Sequence, residues 1–194
     1  MTNNEIDTGS MEYEYVIKRN GTTEKVYFDK INNRIEKLCE NLNINSTRVT
    51  RNITQKMYNG ILTRELDELG AQIAASLSTE HPDYGVLASR IIISNHHKNT
   101  SPSFSETMRT LYENKDVQGN QSPLISKELF ETVESNKSKL NDTIKYDRDY
   151  FFDYFGFKTL ERSYLMRVKS DSTDKHNLKG DIVERPQHMF MRVA

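Results

Sequence analysis

Cysteine is nearly absent. Cys39 is the only one in 194 residues, so no internal disulfide framework and no multi-cysteine metal site can form. Chemistry that needs a cysteine pair within this chain is excluded with them. No run of about eighteen apolar residues occurs, and no transmembrane helix is expected. The opening stretch, MTNNEIDTGSMEYEY, lacks a basic start and an apolar core, so a secretory signal is not expected either. Neither charge dominates: 27 Lys and Arg against 28 Asp and Glu leave a net charge of -1. Without a polybasic surface, direct binding to nucleic acid is not expected. A Walker A lysine loop and a dinucleotide-binding glycine fingerprint are also missing. What remains is a polar chain, 35% hydrophobic and 28% charged with a mean hydropathy of -0.77. That composition suits one ordinary intracellular domain or two small ones around a modest core.

Residues 1–14 are polar and without period, and read as a disordered tail. From Tyr15 the pattern changes. Tyr15 to Arg19 favours a strand, Asn20-Gly21 is a turn dipeptide tolerant of positive φ, and Glu24 to Phe28 favours a second strand. Asp29 is placed to cap a helix whose stripe is Ile31, Ile35, Leu38 and Leu42, with Cys39 beside it as a packing residue and Asn43 as a stop. Ser46 caps a second helix with Val49, Ile53 and Met57 inward, closing at Gly60. Thr63 caps a third, striped by Leu66, Leu69, Ile73 and Leu77. His81-Pro82-Asp83 restarts the chain into a fourth, carrying Tyr84, Leu87, Ile91 and Asn95, which ends near Asn99.

Beyond it, helices are expected over 103–115 and 126–139, then an aromatic run from Tyr146 to Phe157. Strands are expected over 159–169 and 179–184 around the polar loop SDSTDKHN, and a last helix opens at Pro186. The order, strands first and then helices, is an α+β signature with helix predominating. Residues 15–100 form one unit and 101–194 a second. Residues 146–194 are expected to expose apolar surface if made alone, with Phe155, Phe157, Leu160, Leu165, Phe190 and Met191 lacking their usual partner.

Candidate chemistry gathers in the first unit. Lys18 and Arg19 precede the turn and Lys25 follows it. Lys30 lies in a first helical turn, where a cation opposes the helix dipole and a nearby anion would account for it. Thr63 and Asp67 project from one helical face. Lys98 continues an apolar stripe, as the edge of a pocket or as a snorkelling end. Such a set offers cations to phosphates and a hydroxyl and carboxylate to a ribose or base. His96 and His97 point to different faces and make no helical metal pair, His81 and His176 stand alone, and Asp147-Arg148-Asp149 reads as a loop with a local ion pair. No catalytic and no metal-ligating residue is assigned.

Residues 15–100 resemble the ATP-cone. The likeness lies in Val16-Ile17-Lys18-Arg19-Asn20-Gly21, in Glu24-Lys25-Val26-Tyr27-Phe28-Asp29-Lys30, in Thr63-Arg64-Glu65-Leu66-Asp67, and in His81-Pro82-Asp83-Tyr84 leading to Lys98. Further on, Tyr146 to Asp149, Tyr154-Phe155-Gly156-Phe157-Lys158-Thr159-Leu160-Glu161-Arg162-Ser163-Tyr164-Leu165 and Glu184-Arg185-Pro186-Gln187-His188-Met189 are similar to the large subunits of class I ribonucleoside-diphosphate reductases of the eukaryotic and large-virus type. The resemblance runs from Tyr15 to Ala194. The tail before Tyr15 and the loop 170–180 are longer than is usual in that family.

The resemblance implies an overall-activity site: ATP bound there activates reduction of ribonucleoside diphosphates, and dATP inhibits by changing the oligomer. It places ATP or dATP, with magnesium, against Lys18, Arg19, Glu24, Lys25, Val26, Tyr27, Phe28, Asp29, Lys30, Thr63, Asp67 and Lys98. It implies that 101–194 is the mostly helical N-terminal part of the large-subunit domain, ending in the first strands of a ten-stranded α/β barrel, incomplete here. Its implied partners are the remainder of the large subunit, a radical-generating small subunit and further large subunits, in the cytoplasm of a cell or of a virus's host. The family's catalytic cysteines fall beyond residue 194, so the chain is expected to be inactive alone, as a truncated, split or excised product. Two other readings stand beside this one. A free-standing nucleotide-sensing regulator would carry a four-cysteine zinc ribbon before its cone, and no cysteine precedes Tyr15. A degenerate cone would act only in structure or oligomerisation.

Overall fold

The computed structural model describes residues 15–169 and 180–194. The expected tail over 1–14, the loop SDSTDKHN and His176 lie outside the described residues.

Strands β1 (Tyr15–Ile17) and β2 (Thr23–Lys25) form the expected hairpin, with Val16 opposite Glu24. The turn works as its dipeptide suggests: Gly21 takes φ +80°, its N–H donates to Lys18 O, and Lys18 N–H donates to Thr22 O at 2.8 Å. A third strand, β3 (Ile61–Leu62), was not expected. It lies parallel to β1, giving the order β2-β1-β3. Two residues are too few to show a period. Gly60, read as a helix stop, instead turns the chain into β3 with φ +82°, and its N–H donates to Tyr15 O.

Helix α1 (Phe28–Leu38) begins earlier than expected, so β2 is shorter. Tyr27 is the extended residue before it, and Asp29 sits inside the first turn rather than capping it. A carboxylate there still favours the helix dipole. Helix α2 (Ser46–Lys56) is capped by the Asn45 side chain, which accepts from Arg48 N–H, and not by Ser46. Helix α3 (Thr63–Ser76) starts at Thr63, with Leu62 before it and the Glu65 carboxylate accepting from Leu62 N–H. Helix α4 (Pro82–Asn99) has proline in its first turn and the His81 ring accepting from Asp83 N–H.

Helix α4 is apolar on most of its circumference because it is covered on most sides. Leu87, Ala88, Ile91, Ile92 and Ile93 are all buried in the main core with Val49, Ile53, Ala71 and Ala74. Helices α1 and α3 pack on it, and so does α7 (Tyr154–Ser163), whose Tyr154 and Phe157 complete that same core. Helices α5 (Phe104–Tyr112) and α6 (Lys127–Thr143) enclose a second core of Phe104, Met108, Leu111, Ile125, Val133 and Ile144.

The expected strand over 159–169 is mostly wrong. Asp153 caps α7 by accepting from Gly156 N–H at 2.6 Å, and helix runs to Ser163. Only β4 (Arg167–Val168) remains, paired antiparallel with β5 (Asp181–Ile182) before α8 (Pro186–Val193). The expected loop at Asp147-Arg148-Asp149 is a 3-10 turn spanning Tyr146–Phe151, in which Asp149 is fully buried. Phe155 and Phe190 are exposed as expected, but Phe157 is buried because α7 turns one face onto α4, and Leu165, beyond the end of α7, is buried as well.

Candidate functional site

The hairpin, α1, α3 and the C-terminal end of α4 enclose a cavity of about 530 Å³. Its lining combines two chemistries. Ile31 and Ile35 from α1, Ile53 from α2, Leu66 from α3 and Ile91 from α4 contribute carbon. Lys18, Arg19, Lys25, Lys30, Arg34 and Lys98 bring six cationic groups, against the two carboxylates of Glu24 and Asp67.

Local geometry explains how this excess of like charge is held. Asp67, nearly buried on α3, meets three cations: Lys98 Nζ at 3.1 Å, Arg34 Nε at 3.2 Å and Arg19 Nη2 at 3.5 Å. Glu24 bridges Lys18 and Lys30, tying the hairpin to α1. The anion expected near Lys30 is therefore a side chain of the same unit. Arg19 is fixed in a fork, donating to Asn95 Oδ1 at 2.5 Å and to Asn99 Oδ1 at 2.7 Å, with Thr63 Oγ1 at 3.4 Å. Burial holds the Lys98 ammonium below the usual lysine range, and the Asp67 carboxylate opposes that shift.

Ten of the twelve residues singled out from the sequence line this cavity: Lys18, Arg19, Glu24, Lys25, Val26, Tyr27, Lys30, Thr63, Asp67 and Lys98. Phe28 and Asp29 do not. Both are exposed where α1 begins. Arg34 was missed, although it pairs with Asp67 and donates to Ser94 Oγ. The available signal was its place one helical turn after Lys30, on the same face. Asn95 was read only as part of a stripe, yet it and Asn99 orient Arg19. Asn20 also reaches the cavity.

Among the described residues, no group of three His, Cys, Asp or Glu side chains could hold a metal ion. Cys39 is half-buried and its thiol is pushed up to about 11 by burial, which leaves it a poor nucleophile. No helix among the described residues is long and apolar enough to cross a membrane.

Comparison with known proteins places the cavity in a family. Residues 14–99 match the ATP cone domain, and residues 150–194 match the ribonucleotide reductase all-alpha domain. The chain is 48% identical over 184 residues to the ribonucleoside-diphosphate reductase large subunit of Danio rerio, 49% to that of Monkeypox virus and 47% to that of Arabidopsis thaliana. Each alignment takes in 93% of this chain but only 22%, 23% and 21% of the respective relative, so the chain spans about a fifth of the length of these proteins. It carries an ATP cone followed by ribonucleotide reductase all-alpha sequence, as the resemblance read from the sequence had indicated.

Proposed function

We propose that the cavity binds ATP or dATP as an allosteric effector and that the chain is the regulatory N-terminal region of a ribonucleoside-diphosphate reductase large subunit. The observation that carries this is the pairing of an apolar wall with six cations against two carboxylates, all within the residues matched to the ATP cone. The net positive lining suits the negative charge of a nucleoside triphosphate. Lys18, Arg19 and Lys98 hold the phosphates through charge-assisted bonds, Thr63 and Asp67 meet the sugar or base, and the apolar wall takes the base face. Magnesium would come with the phosphates, which are its usual ligands in such sites.

ATP and dATP differ by one hydroxyl. Opposite effects on activity then require that the two nucleotides prefer different assembly states, because equal affinity for both states shifts nothing. The reductase chemistry, the barrel that houses it, the radical-supplying small subunit and the oligomer of large subunits belong to the whole protein, in the cytoplasm. The all-alpha match after the cone weighs against a free-standing regulator. The test is calorimetric titration of the purified chain with dATP and then ATP. Saturable binding of one or two nucleotides per chain supports the reading, and a folded sample that binds neither overturns it in favour of a degenerate cone.

A further inference from the structure

We infer that Arg185 is a positioning residue for the nucleotide cavity, clamping the C-terminal end of α4 and so coupling cavity occupancy to the segment that begins α8. The inference rests on the nucleotide reading of the cavity.

The last turn of α4 is held by two sets of side chains. Toward the cavity, Asn95 and Asn99 accept from the Arg19 fork and Lys98 meets Asp67. At the end of the helix, Arg185 Nη2 donates to His97 O and Thr100 O, both at 2.9 Å, and its Nε donates to Thr100 Oγ1 at 3.0 Å. These carbonyls belong to the group that every helix leaves without an internal partner. A cation is suited to that end by the helix dipole as well as by hydrogen bonding. Arg185 is buried, and its guanidinium stacks 4.6 Å from the centre of the Tyr146 ring.

The neighbours of Arg185 carry the link onward. His96 Nε2 lies 2.9 Å from Glu184 O, and the fully buried Glu184 carboxylate accepts from Arg192 on α8 and from Met166 N–H beside β4. His97 meets Asp149 at 2.7 Å, and the same carboxylate accepts from Gln187 at 3.3 Å. One helical turn is thus shared between the phosphate-facing cations and a buried network that fixes α8. Phosphates that draw Arg19 or Lys98 away from their present partners act on that turn directly. By linkage, whatever nucleotide binding does to the 184–188 segment, that segment does to nucleotide affinity.

The test is hydrogen–deuterium exchange of the full chain with and without saturating dATP, for the wild type, Arg185→Ala and Arg185→Lys, with affinities from calorimetry. In the wild type, dATP slows exchange over 16–30 and 63–70, and also over 183–190. Arg185→Ala binds dATP about fivefold more weakly, at the low end of ordinary coupling. At saturation it still protects 16–30 but no longer 183–190. Arg185→Lys keeps the charge without the fork and restores part of both effects. If Arg185→Ala does not fold, Arg185→Lys decides. Wild-type affinity and undiminished protection of 183–190 in the variant that decides overturns the inference. So does a wild type whose 183–190 segment ignores bound dATP. Absence of dATP protection at 16–30 in the wild type instead removes the nucleotide reading, and the coupling with it.

Discussion

Lys98 closes α4 with its ammonium 3.1 Å from the carboxylate of Asp67, and the two residues stand on different helices that share one cavity. Asp67 is nearly buried and is also served by Arg19 and Arg34. On the nucleotide reading proposed above, Lys98 is the cation that exchanges Asp67 for an incoming phosphate. Lys98→Met keeps the stem and removes the charge. It is expected to leave helical content unchanged and to weaken triphosphate binding by about tenfold, the scale of one charge-assisted bond. Added salt should weaken wild-type binding more than binding to the variant. Calorimetry at two salt concentrations reads both effects.

Asp67→Ala acts in the opposite sense on charge. It leaves Arg19, Arg34 and Lys98 facing one another without the carboxylate that gathers them. Their geometry loosens, and the proposed contact to sugar or base is lost. A fall in dATP affinity of about tenfold or more is expected, with circular dichroism unchanged. An affinity equal to wild type in a folded variant would remove Asp67 from the site.

Acid should destabilise the chain through two buried histidines. Burial lowers His96 from 6.5 to about 4 and His188 from 6.5 to about 3. His188 Nδ1 has no hydrogen-bond partner among the described residues, while its Nε2 faces the Tyr146 hydroxyl. The unfolded chain takes up these protons near pH 6.5 and the folded chain only at lower pH. Between those values the unfolded state binds more protons, so stability falls as pH drops. The loss begins below 6.5 and ends near 4 for His96 and near 3 for His188. Its steepest slope is about 1.4 kcal/mol per pH unit for each histidine. Urea unfolding at a series of pH values should show it, and His188→Phe should flatten the lower part of the curve. A wild-type stability that is level from neutrality down through that window would contradict the assignment.

Much of the cavity was legible because its signals are local. Asn20-Gly21 announces a hairpin, and the cations flanking it must then lie near its end. The stripes of α3 and α4 orient Thr63, Asp67 and Lys98 without knowledge of the tertiary fold. What was not legible depends on contacts between distant segments. The two-residue strand at Ile61–Leu62 is defined only by its partner β1. Arg34 shares a helical face with Lys30, but its pairing with Asp67 exists only once α3 is brought beside α1. Asp149 looks like one charge in a solvated triplet, yet it is buried against His97 and Gln187. Phe157 was expected to be exposed for want of the rest of a barrel, but its partners are core residues of α4, which lie much earlier in the chain.

Phe157 tests that last relationship. Its side chain is fully buried, its ring meets His96 edge-on with centroids 5.1 Å apart, and it belongs to the core formed by α1 to α4. Lys158 beside it pairs with Glu68 on α3 at 2.8 Å, a second tie between α7 and the first unit. If α7 completes the core of the cone, Phe157→Ala opens a cavity there and should cost about 3–5 kcal/mol of stability. The loss should also appear as faster hydrogen exchange in α4, including the turn that carries Asn95 and Lys98. Phe155→Ala, at an exposed position on the same helix, is the matched control and should cost less than about 0.5 kcal/mol. Equal effects from the two substitutions would mean that α7 merely rests against the cone. The expected difference would mean that residues beyond 150 are part of what holds the proposed nucleotide cavity in shape.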